Sequence, residues 1–80
     1  MSLALAVQYL AQGQWQKAHE IAQADDSPLG AWAHGIVHLQ EGDWDNARYW
    51  YGRARRKFES PLDVQAEVSA LATALERAGQ

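Results

Sequence analysis

Eighty residues with seven basic and ten acidic side chains, no cysteine and a net charge of −3 make one small domain with a modest core. The absence of cysteine excludes a disulfide framework and fits a reducing compartment, and the negative balance gives no general reason to expect nucleic acid. No apolar run approaches the roughly 20 residues of a membrane span.

The chain opens with Met1-Ser-Leu-Ala-Leu-Ala-Val7, which lacks a basic leader and is cut short by Gln8. No signal peptide is expected, and the cytoplasm is the default location. The first helix is predicted over residues 3–12 and ends before Gly13, where a left-handed residue costs least. A second follows over 14–24. Ser27-Pro28 places a capping hydroxyl before a proline at the first helical position and starts a third helix, over 28–41, which ends at Gly42. Asp43 and Asp45 bring negative charge to the start of a fourth, over 43–58. Its apolar stripe is Trp44, Ala47, Tyr51, Ala54 and Phe58, at alternating three- and four-residue spacing. Ser60-Pro61 repeats the start signal for a fifth helix over 61–78, with Val64, Val68, Leu71, Leu75 and Ala78 on one side and Gln65, Ser69, Thr73 and Glu76 on the other. Short loops make sequential helices antiparallel neighbours.

The segments Gly13-Gln-Trp15-Gln-Lys-Ala18 and Gly42-Asp-Trp44-Asp-Asn-Ala47 repeat one G-x-W-x-x-A pattern after twenty-nine residues, the mark of a duplicated supersecondary unit. Leu10 then matches Leu39, Val7 matches Ile36, and Ile21 matches Trp50. Each unit reads as helix, Gly-centred turn, helix, with Trp15 and Trp44 filling the space near the turn. The fold class expected is all-α, two antiparallel helix-turn-helix repeats (1–26 and 27–59) closed by a C-terminal capping helix (60–80).

These residues resemble the tetratricopeptide superfamily, in which Ala6 and Gly35 would be the small packing residues of the first helices and Tyr9 the aromatic near the turn. His38 departs from that pattern. The segment Ala47-Arg-Tyr-Trp50-Tyr-Gly-Arg53-Ala54 is similar to the second helix of the Sel-like branch. The resemblance covers about residues 3–58 and implies protein–protein scaffolding without catalysis. In that geometry Leu3, Val7 and Leu10 align with Trp32, Ile36 and Leu39 on the concave side. This face is too apolar to leave in water. The fifth helix, a second copy or a partner's apolar helix would cover it; the expectation is a self-associating module, a homodimer, with neither nucleic acid nor membrane as partner.

No nucleophile–base pair or phosphate-cradling loop is present, so the chain is expected to be non-enzymatic and without a cofactor. His34, His38 and Glu41 fall on one helical stripe, with Asp45 just past the turn and His19 nearby. Two imidazoles four residues apart can share a divalent metal. Because His34 and His38 match Leu5 and Tyr9, the reading adopted is structural histidines and no metal. Metal or small-ligand binding by His34, His38 and Glu41 is the alternative. Arg53, Arg55, Arg56 and Lys57 are expected to compensate the C-terminus of the fourth helix.

Overall fold

The computed structural model describes residues 2–59 and 62–79. They form five helices: α1 (Leu3–Ala11), α2 (Trp15–Ala22), α3 (Pro28–Glu41), α4 (Trp44–Arg53) and α5 (Val64–Ala78). Two helical hairpins, α1–α2 and α3–α4, are followed by the C-terminal helix, as the repeat predicts. Both turn glycines are left-handed, Gly13 at φ 74° and Gly42 at φ 91°, and the closing bonds match: Gln14 N–H donates to Tyr9 O at 2.9 Å, and Asp43 N–H to His38 O at 2.9 Å. The Ser27 hydroxyl accepts from Gly30 N–H at 3.0 Å ahead of Pro28. At the start of α4 the Asp43 carboxylate accepts from Asn46 N–H.

Helix α3 is the axis of the molecule. Leu29, Ala31, Trp32, Ala33, Ile36, Val37 and Leu39 point round its whole circumference, and every residue from Gly30 to Leu39 is buried. A helix apolar on all sides is stable only when enclosed. Here α1, α2, α4 and α5 all pack on it, while the backbones of α2 and α4 stay further apart. The α3–α4 hairpin closes tightly because Gly35 faces the Tyr51 ring and Ala47; α1 offers Ala6, fully buried, at the equivalent position.

Three expectations are corrected. Leu10, Trp32, Ile36 and Leu39 are 1%, 2%, 0% and 6% exposed, so four of the six residues proposed for an interaction surface are core; Leu3 and Val7 are half-buried at its edge. The cover is α5, which lies across α1 and α3 and seats Val68 and Leu71 against them. With that face filled from within the chain, the reason for expecting a homodimer through it is gone. Second, α4 stops at Arg53, a turn short of Phe58. Ala54 caps it, Arg55 turns left-handed at φ 60°, and Arg56 N–H returns to Tyr51 O at 3.0 Å. Phe58 still reaches Tyr51, ring centroids 5.2 Å apart, but through chain reversal and not along a helix. Third, Trp44 is 43% exposed and Trp15 only half-buried, so neither fills the space near its turn as a buried packing residue. The expected Ser60-Pro61 start lies outside the described residues; α5 begins at Val64, capped by the Asp63 carboxylate accepting from Ala66 N–H at 3.2 Å.

A polar tie holds α5 in place. Glu67 Oε1 accepts from Tyr51 OH at 2.7 Å and from Trp32 Nε1–H at 3.2 Å, and the Arg56 guanidinium covers the Trp32 ring, 3.4 Å from its centroid. Burial, then the Glu67 carboxylate, pushes the Tyr51 hydroxyl's pKa up, so it stays a donor.

Candidate metal centre

Because α2 and α4 stay apart, a furrow runs between them with α3 as its floor, and aromatic rings fill it. His34 and His38 stand four residues apart on α3 and therefore project side by side. His19 comes across from α2 and Trp50 from α4. His34 and His38 are stacked, centroids 5.0 Å apart and planes 26° apart. His19 meets His34 edge-on at 4.7 Å and His38 at 5.6 Å. The Trp50 indole lies flat on His34, 3.9 Å away at 10°, which fixes that imidazole's plane and keeps water off one face.

Each of His19, His34 and His38 can present one nitrogen within 4.8 Å of the other two. His34 is 6% exposed and His38 8%, while His19 is half-buried. A tetrahedral ion with metal–nitrogen bonds of about 2.0–2.1 Å holds its nitrogens roughly 3.3 Å apart, so the three rings would have to draw closer to share one. His38 Nδ1 lies 2.8 Å from Glu41 Oε1. With the carboxylate accepting from Nδ1–H, the His38 Nε2 lone pair is left for coordination, and the carboxylate fixes both tautomer and ring plane.

Burial, then the proximity of His19 and His38, lowers the pKa of His34 from 6.5 to about 4. A proton on His34 is costly in these surroundings, whereas a metal ion uses the lone pair of the neutral ring. His34 therefore enters neutral pH uncharged, the state that coordination requires.

Of the residues anticipated from sequence, His34 and His38 are ligand candidates, and Glu41 supports His38 from outside the trio. Asp45 joins neither group of potential ligands among the described residues; Asp43 does, falling with His38 and Glu41 in a second, mostly exposed group. From sequence Trp50 was only the match of Ile21 across the repeat, and no sequence signal marked it as the wall behind His34. Of the basic cluster, only Arg53 ends a helix. It donates to Tyr49 OH at 2.9 Å and stacks on Tyr49 and Trp50, while Arg55, Arg56 and Lys57 lie beyond the helix end.

No described helix is long and apolar enough to cross a membrane. Comparison with protein-family models, with curated proteins and with solved structures finds no match for this chain.

Proposed function

We propose that this chain binds one divalent transition-metal ion through His19, His34 and His38, using two helical hairpins as the scaffold. The observation that carries the reading is the convergence of three imidazoles from two helices, with nitrogens within 4.8 Å of one another. Glu41 behind His38 and Trp50 against His34 add support. An all-imidazole set suits Zn²⁺, Co²⁺, Ni²⁺ and Cu²⁺. The lack of thiolate disfavours Cu⁺ and iron–sulfur clusters, and the lack of carboxylate in the trio disfavours Mg²⁺ and Ca²⁺. The ion would tie α2 to α3 across the interval between the repeats. This departs from the scaffolding role that the helical-repeat resemblance implies, because most of the face assigned to that role is core.

The test is metal content and affinity of the purified, metal-stripped chain. One Zn²⁺ or Co²⁺ per chain is expected. At free metal 100-fold above the dissociation constant, stability rises by about 2.7 kcal/mol. His19→Ala, at a half-buried position that tolerates truncation, and His38→Ala should each weaken binding 100-fold or more. Cu²⁺ or Ni²⁺ should quench the emission of Trp50, and Trp50→Phe should remove that component. No stoichiometric binding of any of the four ions at micromolar concentration refutes the reading.

A further inference from the structure

We propose that the ion at this centre keeps one coordination position open to solvent and exchanges water there for a small monodentate anion. The inference rests on the metal-binding reading above and concerns the side of the trio that His19 and His38 turn to solvent. Three nitrogens leave a tetrahedral ion one position short, and among the described residues no other His, Asp or Glu completes the trio. The Glu41 carboxylate is committed to His38 Nδ1 at 2.8 Å.

The remaining position has a defined direction. His34 forms the back wall: its outer face is covered by the Trp50 indole, and on that side it borders a separate crevice shared with Ala31, Trp50 and Arg53. On the opposite side a cleft lined by Trp15, Gln16, His19, His38 and Glu41 leads in from solvent. Two of the three ligands face this cleft, so an ion held by all three would meet water through it. The walls set the class of ligand. The indole of Trp15 and the neutral imidazoles leave the metal's own charge uncompensated, and that charge attracts an anion into a low-dielectric site. The Glu41 carboxylate at the mouth repels it, limits affinity and selects against multiply charged anions. The cleft therefore takes a small, singly charged, one-point donor.

The experiment uses the full chain loaded with Co²⁺ and titrated with azide, read by the visible ligand-field bands of cobalt. The expected result is a saturable spectral change at one azide per cobalt. Glu41→Gln retains a hydrogen-bond acceptor for His38 but removes the charge, and should tighten azide at least about threefold, the effect of one unit charge about 6 Å away even at the dielectric of water. If cobalt binds and its spectrum ignores azide, the coordination is closed; this inference is then wrong while the metal-binding reading stands. If azide binds but Glu41→Gln leaves its affinity unchanged, the open position does not face this cleft and the inference is again wrong. If cobalt does not bind, both fall together.

Discussion

Gly35 and Gly52 both lie in helices, yet alanine at the two positions should move stability in opposite directions. Glycine to alanine in an exposed helix interior gains up to about 1 kcal/mol. At Gly52, on the outer side of α4, a methyl group would meet nothing within 4 Å, and the propensity gain stands alone. At Gly35 the same methyl would sit 2.5 Å from Tyr51 Cδ1 and 2.8 Å from Cε1, against an ordinary carbon–carbon separation of about 3.5–4.0 Å. The ring would have to retreat by about 1 Å. It has little freedom to do so, because Tyr51 is fully buried and its hydroxyl is tied to Glu67 at 2.7 Å. Overpacking of this kind costs about 1–3 kcal/mol, and a weakened bond to a charged acceptor adds about 1 kcal/mol more. Net of propensity, Gly35→Ala should lose about 1–3 kcal/mol while Gly52→Ala gains about 0.5–1 kcal/mol. In a domain of this size each kcal/mol moves the melting temperature by roughly 4–8 °C, so circular-dichroism melts should separate the two variants by at least about 6 °C. A Gly35→Ala variant melting at or above the parent would show that α3 and α4 do not approach as closely as described.

Two other outcomes follow from burial and charge. With the pKa of His34 lowered from 6.5 to about 4, the unfolded chain takes up this proton first as pH falls. Its stabilising contribution is complete above about pH 6.5 and declines toward pH 4. Between about pH 7.5 and about pH 5 the parent should lose roughly 2 kcal/mol more than a His34→Phe variant in urea titrations; equal losses would refute the assignment. Trp32→Ala, at 2% exposure and with the Glu67 and Arg56 contacts removed, should cost about 3–5 kcal/mol. Trp44→Ala, at 43% exposure, should cost about 1 kcal/mol or less, and thermal melts that reverse this order would contradict the placement of both indoles.

What the chain determined by itself are the features written in near neighbours. Gly13 and Gly42 end helices because only glycine takes the left-handed turn at little cost, and Ser27-Pro28 starts one because a hydroxyl and a fixed φ suit the first turn. The bounds of α3 and both hairpins follow from these local rules. The i,i+4 pairing of His34 and His38 is equally local. The end of α4 was not legible, since Arg55 turns left-handed without being glycine or asparagine and the apolar spacing runs on to Phe58. Tertiary structure decided what covers the apolar side of α1 and α3. Leu10, Trp32, Ile36 and Leu39 announce only that something must bury them; that α5 does so depends on a helix more than twenty-five residues further along, docked by Val68, Leu71 and the Glu67 tie. It also decided the imidazole cluster. Spacing could pair two histidines and leave His19 near them, but could not set its ring against theirs or lay Trp50 flat on His34, because both depend on how helices cross.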